Sequence, residues 1–260
     1  MDWKNELYRK NEQPLERLVE GYSYTSIFRK IAFIGDSLSS GEFETEAKYG
    51  EKRWHDLFEY SWGQYIARKN GLTAYNFSKG GMTARDYLDH FAENNGYWSK
   101  ELAAQAYVIA LGVNDLFYRG FELGSIDDID TENYLNNKPT FAGYYGQIIS
   151  RYKEIAPDAK FFLVTFPKIH YCEDKVPGMI DLLYKIAEKF DNCYVIDLHK
   201  YGPDYDEEFS KNFNLLGHMN PMGYILTAQL VDSYIDYIIR HNPRDFAQVG
   251  FINTDIKYKD

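Results

Sequence analysis

An α/β fold, with a parallel sheet covered by helices on both faces, is what this sequence predicts. Three observations lead there. Short apolar runs alternate along the chain with amphipathic stretches, the signature of strand–helix–strand units. Two of the runs, "VIALG" and "FFLVTF", are apolar almost throughout, as strands buried on both faces should be. The 260 residues suit one large domain or two small ones, and a chain of this size buries roughly 70–75% of its extended surface.

The expected strands are Lys30–Gly35, Leu72–Phe77, Ala106–Gly112, Lys160–Phe166 and Tyr194–Leu198. Between them, helical stretches are expected near Trp62–Asn70, Thr83–Asn94, Phe141–Ala156 and Gly178–Phe190. A last helix spans about Met222–His241, with Asn220 as N-cap and Pro221 in the first helical position, where a missing N–H costs nothing. One domain accounts for the whole chain. Residues 1–29 form an N-terminal extension and residues 243–260 a tail packed on its outside. Two long connections, Ser39–Ser61 and Leu116–Pro139, have the length of lids or cleft walls.

The net charge of -10 argues against a nucleic-acid or anionic-membrane surface, since both need clustered Lys and Arg. Two cysteines, Cys172 and Cys193, cannot make a disulfide framework, and no Cys/His cluster suggests zinc. The N-terminus is charged throughout and lacks the apolar core of a signal peptide. No run approaches the roughly 18 apolar residues of a membrane span. A cytoplasmic location is expected. Of the 24 Tyr, 17 Phe and 4 Trp, most fall at regular spacing inside expected elements and read as packing.

In open parallel sheets, ligands bind beyond the carboxyl ends of the strands. The residues there are Gly35-Asp36-Ser37, then Gly80-Gly81, then Gly112 to Asp115 in "GVND", then His170, then His199. His218 lies just before the last helix. Ser37 is a candidate nucleophile, and a serine alcohol needs an adjacent base to react. His218 is the candidate base, with an ordinary pKa of about 6.5. The Ser37 N–H, the Gly81 N–H and the Asn114 side chain are candidate oxyanion donors, each worth roughly 3–4 kcal/mol. His170 and His199 compete for the role of base. His55, beside Trp54, could touch substrate, while His90 and His241 read as surface residues. Asp36 reads as a turn-fixing residue, Asp115 as a cap for the next segment, and Asp197 as a structural strand-end residue. Metal-ligand spacings, a phosphate loop and the GxGxxG fingerprint are all missing, so neither metal nor cofactor is expected.

The same four blocks resemble the SGNH hydrolase superfamily, the GDSL-type esterases and lipases. The first appears as "FIGDSLSSGE" with Ser37, the second as "NFSKGGMTARDYL" with Gly81, the third as "VIALGVNDLF" with Asn114 and the fourth as "GHMNPMGYILTAQ" with His218. The resemblance implies a flavodoxin-like three-layer α/β/α fold with a five-stranded parallel sheet. It also implies metal-free hydrolysis of O-acyl esters through an acyl-serine intermediate. One departure stands out: the family's Asp three residues before the histidine is Leu215 here. Loss of the orienting acid can cost about 10⁴-fold. Three explanations stay open. A backbone carbonyl could orient His218, an acid could come from elsewhere, with Asp204, Asp206, Glu207 and Glu208 the nearest candidates upstream, or the site could be crippled.

The expected function is therefore hydrolysis of carboxylic esters, with an acetyl group on a sugar as the preferred substrate and the aromatic loop Trp54–Tyr60 lining the cleft. No nucleic-acid or membrane partner is expected. A ligand-binding protein that keeps the pocket without turnover is the alternative, and a flavodoxin-like mononucleotide binder is a third reading.

Overall fold

The computed structural model describes residues 2–7, 9–169 and 175–258; His170 and Cys172 lie outside them. In chain order the main elements are β1 (Lys30–Gly35), α1 (Ser37–Ser40), the hairpin β2 (Glu42–Glu46) and β3 (Lys52–Asp56), and α2 (Trp62–Asn70). Then come β4 (Thr73–Ser78), α3 (residues 84–94), β5 (Ala106–Ala110), α4 (Phe141–Ile155), β6 (Lys160–Val164) and α5 (Val176–Lys189). The chain continues through β7 (Cys193–Ile196), α6 (Glu207–Phe213), the small hairpin β8 (Asn214–Leu215) and β9 (His218–Met219), and α7 (Pro221–His241).

Five strands form one parallel sheet in the order β4-β1-β5-β6-β7. Side chains alternate across it, as the two-residue strand period requires. On one face Ala32, Ile34, Tyr107, Ile109, Phe161 and Leu163 pack with apolar residues of α3, α4 and α5. On the other Ile31, Phe33, Val108, Phe162 and Val164 pack with α2 and α7. The three layers follow directly: a sheet apolar on both faces must be covered on both. Helix α7 starts as its sequence demands, with the Asn220 side chain accepting from Gly223 N at 3.0 Å and Pro221 in the first turn.

The strand order places β1 between β4 and β5, so the chain reverses direction across the sheet at β1. Such a switch point opens a crevice at the carboxyl ends of the strands. The loops after β1, β4 and β5 therefore meet.

The Ser39–Ser61 connection differs from its expected loop character. Residues 42–46 and 52–56 pair as an antiparallel hairpin, with Phe43 opposite His55 and Glu44 opposite Trp54. Its charged sequence hid a strand, because only Phe43 supplies an apolar anchor, packed edge-on against Tyr60 and Tyr224. The N-terminal stretch is tied to α7 through polar groups. Buried Arg240 pairs with Glu12 at 2.7 Å and Asp236 at 2.7 Å, and Val19 N donates to Ser233 Oγ at 3.0 Å.

Candidate active site

Asp36 ends β1 in an extended conformation and caps α1, accepting from Leu38 N at 3.1 Å. That cap starts the helix at Ser37 and holds it at the mouth of the crevice. Burial pushes the Asp36 carboxyl up to about 6. Asn114, just beyond β5, donates through Nδ2 to Met82 O at 3.1 Å and to Asp36 Oδ2 at 3.3 Å. These contacts fix its amide between the second and first blocks. Gly81 adopts a left-handed backbone, φ +71°, and open space surrounds the place where a Cβ would stand. Only glycine takes this conformation without strain. Asp115 is fully buried, and its carboxyl is pushed up to about 7 by burial. It accepts from Ala84 N at 2.8 Å, so it anchors the start of α3 and not the segment that follows it.

His218 opens β9, opposite Leu215 in the small hairpin. Leu215 is 46% exposed and offers the ring nothing polar. The imidazole is instead held by the β2 strand. Its Nδ1 lies 3.3 Å from Glu44 Oε2, and its Nε2 lies 3.1 Å from Glu42 Oε1. Glu42 and Glu44 are two residues apart on a strand and so share a face; both are buried. Glu44 is braced further, accepting from Gly217 N at 3.0 Å and pairing with Lys52 Nζ at 2.5 Å. Lys52 holds the Glu44 carboxyl below its usual range. The Glu42 and Glu44 carboxylates, Glu42 foremost, raise the pKa of His218 above its ordinary value. A Cβ on Gly80 would stand 2.0 Å from Glu42 Oε2, so a bare glycine is what lets that carboxylate lie against the Gly80-Gly81 loop.

A cleft of about 780 Å³ gathers these groups: Ser37, Gly81, Asn114 and His218 all line it, together with Glu42 and Glu44. Among the described residues, Ser37 Oγ and the His218 ring share no hydrogen bond, and both ring nitrogens face carboxylates.

The other residues singled out from sequence fall elsewhere. The upstream acids do not reach His218. Asp204 pairs with Lys168, Asp206 caps α6 by accepting from Phe209 N, and Glu207 pairs with Lys211. Among the described residues no backbone carbonyl is bonded to the ring either. Of the aromatic loop, Trp54 lines the cleft, whereas Tyr60 packs on Phe43; Tyr118 lines the cleft from the far side of the sequence, after β5. His55 bonds Thr45 Oγ1 on the exposed hairpin, and His199 stands outside the cleft with its N–H on Thr165 Oγ1. His90 is exposed, while His241 is half-buried and stacked on Tyr237. Asp197 is structural, accepting from Lys200 N and Tyr184 Oη.

Sequence reasoning missed Glu42 and Glu44. Their signal was present as the period-two acids of "GEFE" at the end of the Ser37 block. It was obscured because the stretch reads as loop.

A parallel sheet in this order, with a polar cleft at its switch point, is the SGNH hydrolase fold. The chain belongs to the GDSL-like lipase/acylhydrolase family, whose profile matches residues 33–226. Solved structures agree on the fold. A family two carbohydrate esterase from Clostridium thermocellum in complex with cellohexaose superposes with TM-score 0.57 at 17% identity, over 90% of this chain and 66% of that one. A family 3 carbohydrate esterase from the same organism gives 0.51 at 16% identity, over 82% and 97%. A family 2 carbohydrate esterase from Corynascus thermopiles, with its carbohydrate binding domain, gives 0.55 at 14% identity, over 92% and 69%. No curated protein matches the sequence. Among the described residues no helix is long and apolar enough to cross a membrane.

Proposed function

We propose that this protein is a serine esterase removing O-acyl groups from a carbohydrate or other small hydroxylated substrate. Ser37 Oγ attacks the ester carbonyl as His218 takes its proton. The oxyanion is held by the N–H groups of Ser37 and Gly81 and by Asn114 Nδ2. The bond to the alcohol then breaks, and His218 returns the proton to the departing oxygen. Water, deprotonated by His218, attacks the acyl-serine; the acid leaves and Ser37 recovers its proton. The single observation that carries this reading is that a buried carboxylate, Glu44, sits on Nδ1 of His218 where Leu215 left no acid. A carboxylate in that place fixes the imidazole tautomer and stabilises imidazolium.

Glu42 is the resting partner of Nε2, the nitrogen the reaction needs. Ser37 and Glu42 compete for it, and neutral imidazole, not imidazolium, must win for attack to occur. Trp54 and Tyr118, 56% and 71% exposed on the cleft walls, give aromatic faces suited to a sugar ring. The carbohydrate-bound fold relative supports that choice of substrate. The scarcity of cysteine supports a cytoplasmic setting.

The Nε2–Glu42 contact also favours a second reading, a binding cleft without turnover. One experiment separates them. Wild type should hydrolyse p-nitrophenyl esters, Ser37→Ala should not, and a serine-directed phosphonate should label Ser37. Absent turnover and absent label would leave only the binding reading.

A further inference from the structure

A second, smaller cavity of about 80 Å³ opens beside the cleft. Asp36 and Leu38, the residues on either side of Ser37, line it, and Val113 and Phe166 line both spaces. Its walls come from the carboxyl ends of β5 and β6 (Ala110, Val164), from Leu198 just after β7, from Met219 on β9 and from Val231 on α7. Ser39 and Tyr205 also line it, but three of its polar groups are already engaged. Thr165 Oγ1 accepts from His199 N and donates to Phe166 O or Asp197, Thr227 Oγ1 donates to Met219 Sδ, and Asp36 accepts from Leu38 N and Asn114 Nδ2. A hydroxylated or charged group entering this largely apolar space would lose water and gain few partners.

We propose that this pocket receives the acyl chain of the substrate, and that the chain is saturated, unbranched and about four carbons long counting the carbonyl. The inference rests on the esterase reading above and refines it. A cavity of about 150 Å³ holds a benzene ring, so the space beside Ser37 takes roughly three carbon atoms beyond the carbonyl carbon. Acetyl would leave most of it empty, and octanoyl would not fit. The best acyl group is therefore butyryl rather than the acetyl that sequence alone suggested. Each buried methylene is worth about fourfold in binding, so butyrate, with two more than acetate, should exceed it in kcat/KM by about fifteenfold.

The test is kcat/KM for p-nitrophenyl acetate, propionate, butyrate, hexanoate and octanoate. It is measured on wild type and on three variants that leave the reacting groups untouched. Ala110→Val and Thr227→Leu fill the pocket from opposite walls, so a folding defect in one leaves the other informative. Each should cut the butyrate-to-acetate ratio towards one while acetate turnover persists. Val164→Ala should move the optimum towards hexanoate. An acetate optimum in wild type, or a ratio unmoved by both filling variants, overturns the pocket assignment and leaves the esterase standing. No turnover of any ester, together with no phosphonate on Ser37, overturns the reading beneath it.

Discussion

The two walls of the cleft are built on different principles. On one side Ser37, Gly81 and Asn114 hang from the ends of β1, β4 and β5, three adjacent strands of the central sheet, and are placed by backbone geometry and a helix cap. On the other side His218 sits on a two-residue strand and is placed by carboxylates from the β2–β3 hairpin, whose outer strand is exposed along its whole length. The first wall is set by packing, the second by charge. On the first wall pH acts through the buried Asp36 cap; on the second it acts on the histidine itself, held between Glu42 and Glu44.

If that contrast holds, the largest effect belongs to the packed wall. Ser37→Ala should reduce ester turnover at least 10⁴-fold with an unchanged thermal melt. Nearly as large is the loss on the charged wall: Glu44→Gln should lower kcat by about 10³–10⁴-fold, because the imidazole loses the group that fixes its tautomer. Asp206→Asn, a helix cap away from the ring, should leave kcat close to wild type. Asn114→Ala should cost about 10²–10³-fold in kcat, the usual loss for one oxyanion donor.

The pH profile sharpens the comparison. The groups facing His218 are Glu42 and Glu44 on β2, with Asp36 adding negative charge from the end of β1 and Lys52 offsetting Glu44. Their net effect raises the histidine pKa, and a general base works only when neutral. Activity should therefore rise with pH along a limb centred above the ordinary value of about 6.5. Glu42→Gln removes the foremost cause, so that limb should move towards lower pH and activity at mildly acid pH should increase several-fold. Gly80→Ala should act in the same direction more weakly, since the added methyl displaces the Glu42 carboxylate from its place against the loop. The smallest effect is expected of Lys52→Met. Its ion pair reaches in to Glu44 from an exposed side chain, 59% accessible, where solvent screens the charge.

The same contrast explains what could be seen in the sequence. The sheet strands were legible to within a residue or two, because strands buried on both faces must be apolar almost throughout. The four candidate site residues that line the cleft, Ser37, Gly81, Asn114 and His218, were all picked out in the sequence, three of them because a switch-point crevice draws on the residues just past such strands. The hairpin was not. Glu42 and Glu44 are buried acids held by Lys52, Gly217 N and His218, partners that only the folded chain supplies. Without those partners a charged, glycine-flanked stretch reads as loop. The acid serving His218 was sought nearby in sequence, among Asp204 to Glu208, because local spacing was the available guide. The fold delivers it from more than 170 residues away.

The most direct test is the rate at which a fluorophosphonate labels Ser37 in wild type, Glu44→Gln and Asp206→Asn. Glu44 as the partner of an active His218 predicts labelling of wild type and Asp206→Asn at matching rates, and a fall of about 10³-fold or more in Glu44→Gln. Labelling of Glu44→Gln at the wild-type rate, or no labelling of Ser37 in any of the three, would contradict it.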